Sequence, residues 1–370
     1  SQFYGAKNEK AMKKASQTSI VFSAVCGIVI TLIARGFADE ILSLMKTPSD
    51  SFEYSAVYMK IIFLGMSFQL VFNMASGILR AVGDSKTPFI IIAASCIINI
   101  VLDYIFVVPM GLGIAGAAIA TIASQGFSAI VSAAKLISLK DEAYGLSLSQ
   151  YHFDIPVLKR MLAIGIPLAM QSVMYSVTNI RSQVCINMLG TACVAAWGLL
   201  GRIDGFFWGF MSAANTTVST FTGQNYGRRD FERMKKGVVA SFVIFELLAL
   251  GVSVFILGFG KGLVHYFDSN PEVIARTVDA FHVFAPFYPV WVVNEVLSGT
   301  LRGEGKTFVP FIIMAFSICA FRLLYYQFFF PTHATMLWLA GAYPMSWFLA
   351  DFGMIVYYVY HVKNRRQKLI

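Results

Sequence analysis

Ten stretches of mostly apolar residues follow one another along this chain, and about 20 such residues are what a helix needs to cross a bilayer core. They run Ser16–Ala34, Ser55–Leu79, Thr87–Val108, Ile114–Ile137, Val157–Met188, Val194–Phe221, Val238–Gly258, Val278–Thr300, Phe308–Phe330 and Leu337–Val362. Composition agrees. Only 13% of the 370 residues are charged and 57% are hydrophobic, whereas a water-soluble domain carries about 25% charged residues. Lipid is therefore the solvent, and the pattern predicts an all-α membrane protein, since only helices or closed barrels satisfy their backbones in hydrocarbon. A net charge of +9 would suggest nucleic acid in a soluble domain, so the positions of the charges have to decide.

Sorting the loops by Lys and Arg decides against it. One side takes Lys7, Lys10, Lys13, Lys14, Arg80, Lys86, Lys135, Lys140, Lys159, Arg160, Arg228, Arg229, Arg233, Lys235, Lys236, Arg302, Lys306, Lys363, Arg365, Arg366 and Lys368, which is 21 of the 29 basic residues. The other side holds only Arg35, Lys46, Lys261 and Arg276, and Lys60, Arg181, Arg202 and Arg322 fall inside spans. Basic residues mark the cytoplasmic side of a membrane protein. The asymmetry therefore predicts a cell-membrane protein with both ends of this chain in the cytoplasm and no nucleic-acid partner.

An internal repeat organises the spans. Gln2, Tyr4, Gly5, Met12, Lys13 and Lys14 match Gln224, Tyr226, Gly227, Met234, Lys235 and Lys236, all at an offset of 222. Ser76–Ile91 and Ser298–Ile313 share nine of sixteen residues at the same offset. Equivalent points are six spans apart, so the two halves share one orientation, and a transport site is expected where such halves meet. Two spans precede Gln224 and none precedes Gln2. The expectation is thus a protein of twelve helices in two pseudo-symmetric six-helix lobes, of which this chain holds ten. Its parts are a first lobe at 1–138 (helices 3–6 of twelve), a polar cytoplasmic linker at 139–155, and a second lobe at 156–370.

Several motifs accompany the repeat: Leu79-Arg-Ala-Val-Gly-Asp-Ser-Lys-Thr-Pro88, Asn99-Ile-Val-Leu-Asp103-Tyr, Gly111-Leu-Gly-Ile-Ala-Gly-Ala-Ala-Ile-Ala-Thr121, Gly165-Ile-Pro167 and the two Gln-x-Tyr-Gly loops. As a set they resemble the multidrug and toxic compound extrusion (MATE) family, and the DinF-like and Firmicute-type branches more than the NorM branch. The resemblance implies a secondary antiporter rather than an enzyme, one that exports bulky, often cationic drugs in exchange for H⁺ or Na⁺. It implies no cofactor. Its partners would be small-molecule drugs and membrane lipid, and the chain would act as a monomer. Physically, the small residues around Gly113–Ala120 let helices approach closely in lipid.

Ionisable side chains inside spans are costly and so are functional candidates. Asn99 and Asp103 lie four residues apart, on one helix face. The resemblance assigns them the cation-coupling site, together with an Asp on a first helix that precedes this chain. A buried carboxylate there can take up a proton or coordinate a cation and so change its lobe. The second lobe has Phe321 and Tyr325 at the equivalent places. Its own charged residues are Arg181, Arg202, Asp204, Glu246, Glu295, Arg322 and Asp351. Arg202 and Asp204 are two residues apart and face different ways, so each needs its own partner. Glu246, Glu295 and Lys60 stand near span ends, where long side chains can snorkel.

The acids that NorM-type members carry on their seventh and tenth helices fall here near Tyr175 and Trp291, neither of them charged. That argues against NorM-type coupling in the second lobe, although Glu295 is placed to replace one acid. The candidates for the substrate cavity are therefore Arg202, Asp204, Arg181, Asp351, Glu295, Tyr175 and Met174, with Met161, Met170 and Met211 as further adaptable apolar contacts. The five cysteines lack metal spacing and read as small buried apolar residues. His282 is the one histidine within a span. Two further readings stay open: a lipid-linked saccharide flippase, which would turn Arg181, Arg202 and Arg322 inward, and an incomplete, inactive fragment.

Overall fold

The computed structural model describes residues 1–44, 49–147 and 153–367, and it is helical throughout, with no strand among the described residues. Lys46, His152 and Lys368, and with them part of the expected linker, lie outside the described residues. The chain divides into two compact units, Phe3–Arg160 and Met161–Ile370.

In the first unit the long helices are α1 (Glu9–Gly36), α2 (Ser49–Leu64), α3 (Met66–Ala81), α4 (Lys86–Val107) and α5 (Gly113–Ser138). A short helix, Ala38–Leu44, follows α1. The expected span Ser55–Leu79 is a bent pair, α2 and α3 meeting at Gly65 with a 42° bend. The interior is built from small and hydroxylated residues, among them Ser16, Thr18, Ser23, Ala118, Ala120, Ser124 and Ser132. The outer faces carry Leu32, Phe89 and Ile97, each more than 60% exposed. A protein in water would do the reverse. In lipid the apolar faces are already solvated, and close packing of small side chains is what draws helices together. Lys60 on α2 reaches Asp39 at 2.7 Å rather than standing alone.

The second unit holds α6 (Ile155–Met188), most of which lies past the dividing point, then α7 (Thr191–Arg228), α8 (Phe231–Phe267), α9 (Pro271–Phe284), α10 (Tyr288–Gly303), α11 (Phe308–Thr332) and α12 (Met336–Gln367). α7 and α10 pack along each other, flanked by α8, α9 and α12. The span expected at Val278–Thr300 is broken by a 3₁₀ turn at Ala285–Phe287, between α9 and α10. Proline explains the break. The carbonyl of Ala285 would find its helical partner at position 289, but Pro289 has no N–H. The hydroxyl of Ser253 on α8 donates to that carbonyl instead, as a membrane interior requires. α11 contains two π-helical turns, Ala315–Ala320 and Tyr325–Phe329, on either side of Phe321–Leu324.

Among the described residues, seven helices are long and apolar enough to cross a membrane, or eight counting the bent pair as one span. The other two expected spans are helical but fall outside that set. α7 carries Arg202, Asp204, Asn215 and Thr216, and α9 and α10 have only 14 and 16 residues.

The 222-residue repeat is visible in the backbone itself. Among the described residues, Lys7 and Arg229 are the two non-glycine residues with positive φ, at 53° and 60°. Each is followed by a side chain that caps the next helix: Asn8 accepts from the N–H of Ala11 and Asp230 from that of Arg233, both at 3.0 Å. Gly83 and Gly305 have φ of 100° and 80°. In both turns the N–H three residues past the helix end returns across the last turn, from Asp84 to the Leu79 carbonyl and from Lys306 to the Leu301 carbonyl. Glycine is required because a Cβ disfavours that left-handed conformation.

A Trp-lined cavity and a polar helix face

Asn294, Glu295, Ser298 and Arg302 of α10 bring polar side chains into an interior rich in aromatic rings. A cavity of about 800 Å³ lies within the second unit, walled by α6, α7, α9, α10, α11 and α12. Four of the chain's five tryptophans line it: Trp197, Trp208, Trp291 and Trp347. Trp208, Trp291 and Trp347 form a triangle with ring centroids 5.5, 5.7 and 6.1 Å apart. Phe284 and Tyr343 extend it towards Trp197 at 5.0–5.9 Å. Tilted and edge-on pairs at these distances are favourable, so the rings hold one another while leaving faces for a guest.

Both carboxylates of the cavity are held by indole N–H groups. Asp204 is 7% exposed; its Oδ2 accepts from Trp208 Nε1 at 2.6 Å and its Oδ1 from the Tyr288 hydroxyl at 2.5 Å. Trp291 Nε1 donates to Glu295 Oε1 at 3.0 Å. In each case acid and indole are four residues apart on one helix, hence neighbours. Asn215 on α7 donates to the Ser298 hydroxyl at 2.8 Å and to the Glu295 carbonyl at 3.1 Å, fixing α10 in register. Gln171 donates to the Tyr175 hydroxyl at 2.9 Å, and Tyr175 stands within electrostatic reach of Glu295, Arg322 and Arg302.

The wall thus contains Asp204, Glu295 and Tyr175 from the expected set. Glu295 does not snorkel; it is turned inward by Trp291. Arg181 is outside the wall, half-buried and bonded to Gln327 at 2.9 Å. Arg202 is exposed on the opposite side of α7 from Asp204, as two residues of helix require. Met174 is not in the wall, Met170 is exposed, and Met211 is packed in the core. Asp351 on α12 is buried outside the wall, against the Asn294 backbone N–H, with Glu246 of α8 nearby. Its Oδ1 and Glu246 Oε2 are buried without a partner among the described residues. His282 is exposed, Cys96 is exposed and Cys26 half-buried, so only Cys185, Cys193 and Cys319 are buried apolar residues. The exception is positional: Cys96 is on the outward face of α4.

Sequence reasoning missed the tryptophans, Tyr288 and Arg302, which read as a loop charge but lines the cavity from the last turn of α10. A signal existed in the repeated acid–Trp spacing of four residues, Asp204 to Trp208 and Trp291 to Glu295.

In the first unit, Ser95, Asn99 and Asp103 make a polar ladder on one face of α4. Ser95 donates to the Ser124 carbonyl of α5 at 2.7 Å. One and two turns further, Asn99 Nδ2 and Asp103 Oδ1 are shut away from the surface with no partner among the described residues. Buried amides and carboxylates normally find partners, so this face has spare polar capacity, one donor and one acceptor.

These features define a multi-helix membrane protein with a polar, aromatic interior site, and comparison identifies its class. The MatE family matches residues 1–105 and 167–326, so the chain belongs to that family of membrane transporters and is not an enzyme. It is 30% identical over 340 residues to the probable multidrug resistance protein YpnP of Bacillus subtilis (strain 168), covering 89% of this chain and 72% of that one. It is 28% identical over 327 residues to the probable multidrug resistance protein YoeA of the same organism, covering 86% and 70%. Among solved structures, a MATE protein in a bent conformation aligns over 99% of this chain and 82% of its own, with a TM-score of 0.91 at 20% identity; that likeness concerns the fold.

Proposed function

We propose that this chain is a secondary active efflux transporter that exchanges H⁺ or Na⁺ for small organic, often cationic drugs by alternating access. The Trp-lined cavity with two indole-held carboxylates carries the reading. It offers ring faces and edges to flat aromatic compounds and negative charge to a cation over them. Relatives named as multidrug resistance proteins support the substrate class. Asn99 and Asp103 hold the coupling ion: the buried Asp103 Oδ1, without a partner among the described residues, is what a proton or a small cation would engage, with the Asn99 amide one turn earlier on the same helix face. Binding there biases the first lobe, and the drug cavity is released to the other side. The protein works in the cell membrane as a monomer, with both ends of this chain cytoplasmic as the basic loops indicate.

The test is export of a fluorescent organic cation from cells stripped of their own pumps. Export by the wild type that Asp103→Asn abolishes at equal membrane abundance supports coupling through α4. Undiminished export by Asp103→Asn removes that role. The flippase reading draws little support: of Arg181, Arg202 and Arg322, only Arg322 lines the cavity.

A further inference from the structure

Counting donors and acceptors in the cavity gives an unexpected sign. Asp204 has both oxygens filled, and Glu295 has one filled. The cavity's arginines are in the opposite condition. Arg302 has no hydrogen bond among the described residues, and its Nε is buried without a partner. Arg322 is 5% exposed, lies in the middle of α11, and forms no ion pair with any carboxylate among the described residues. A guanidinium has five N–H donors and is never deprotonated. Of these, Arg322 uses the Nε–H, which donates to the Ser346 hydroxyl at 2.8 Å. Its Cζ stacks 3.8 Å over the Tyr343 ring. The stack fixes the plane of the fork and Ser346 fixes its rotation; neither Nη group has a partner among the described residues, and Arg322 is one of the residues that line the cavity.

We infer that Arg322 is the anchor for an anionic group on the transported solute, a carboxylate held in bidentate fashion, so that the cavity takes aromatic acids and zwitterions and not only cations. This rests on the cavity being the drug site. Arg322 presents a charged fork with no carboxylate opposite it among the described residues, so a solute that brings one completes the pair. A carboxylate in the plane of the fork gains two charge-assisted hydrogen bonds, and the aromatic body beside it meets Tyr343, Phe284 and Trp347. Ser346 and Tyr343 are positioning residues here, acting through the guanidinium.

The experiment uses a matched pair of dyes: an unesterified, zwitterionic rhodamine and its methyl ester, a cation with the same rings. Binding to the purified wild-type protein in nanodiscs is followed by fluorescence polarisation. The acid is expected to bind about tenfold tighter than the ester, and Arg322→Gln to weaken the acid by about 10–100-fold while changing the ester at most a few-fold. Ser346→Ala, which keeps the guanidinium but frees its rotation, should weaken the acid selectively by a smaller factor. Wild-type preference for the ester, or equal losses for both dyes in Arg322→Gln, would overturn the inference and leave the drug cavity standing. Binding of neither dye by folded wild type would sink both readings together.

Discussion

Gly303 offers a test of how the Trp-lined cavity is built. It lies at the end of α10, where that helix crosses α7 closely. A Cβ added there would stand 2.6 Å from the Ser219 carbonyl oxygen, 2.7 Å from Thr222 Cβ and 2.9 Å from the Gly223 nitrogen. Two of these three atoms are backbone, so no rotamer change relieves the overlap. Restoring ordinary contact requires the helices to part by roughly 0.8 Å, and overpacking of this kind costs about 1–3 kcal/mol. One turn earlier, Gly299 would meet the Asn215 carbonyl at 2.9 Å, so the strain extends to the residue that registers α10. Gly77 is the repeat-equivalent of Gly299, and a Cβ there meets nothing within 4 Å. Gly303→Ala should therefore lower the melting temperature of the purified protein by a few degrees, while Gly77→Ala should leave it unchanged or raise it slightly, through the helix-propensity gain of about 0.5–1 kcal/mol. The assay is thermal melting in nanodiscs, followed by tryptophan fluorescence. An unchanged midpoint in Gly303→Ala would refute the claim that backbone-to-backbone contact holds α7 against α10.

Three further outcomes follow from the hydrogen bonding. Asp204→Asn replaces a carboxylate that receives two donors with a group that has one acceptor and its own N–H₂, so it should destabilise by about 1–3 kcal/mol in the same melting assay. Glu304→Gln should cost about 1.5–3 kcal/mol, because the side chain of Glu304 is 1% exposed and joins His361 at 2.5 Å and Arg365 at 2.6 Å, tying the loop after α10 to the end of α12; little loss in melting would mean the cluster is idle. The ammonium of Lys14, 2.7 Å away, and then the backbone N–H of Val157 hold the Asp154 carboxyl below the usual carboxylate range. A depressed folded value means that this contribution is complete above about pH 4, near the unfolded value, and is lost as pH falls through the folded one. Asp154→Asn should therefore melt earlier than wild type at neutral pH, with the gap closing in acid; a gap that grows in acid would contradict the assignment.

The architecture was largely legible because its signals are local or periodic. Spans follow from apolar length, and the turns at Gly83 and Gly305 follow from glycine at matched positions. The bend at Gly65 and the break at Ala285–Phe287 were less legible, since each interrupts a run whose hydropathy does not change. The cavity was harder still. Trp197, Trp208, Trp291 and Trp347 come from three helices separated by up to 150 residues, and nothing local says that they meet. Faces of a lipid-solvated helix are also ambiguous, because apolar residues lie both outside and inside. That is why Arg181 and Arg202 could be grouped with Asp204 on depth alone, and why Arg302 was read only as a topology signal. Packing partners separate them: Asp204 meets Tyr288 and Trp208, while Arg202 points to the surface.

The corners at Lys7 and Arg229 have a consequence of a different kind. A left-handed non-glycine residue in the same place in both halves is an inherited habit of a duplicated gene, kept because the corner works in either copy. The side chains between the corners were free to drift. At the matched places one copy has Asn99 and Asp103 and the other Phe321 and Tyr325. A tandem of two second halves would keep the corners, gain a second aromatic chamber and lose the Asn–Asp face. A tandem of two first halves would do the opposite. Neither symmetric tandem could carry both the Asn–Asp face and the aromatic chamber, and building one would show whether either half folds without the other's side chains.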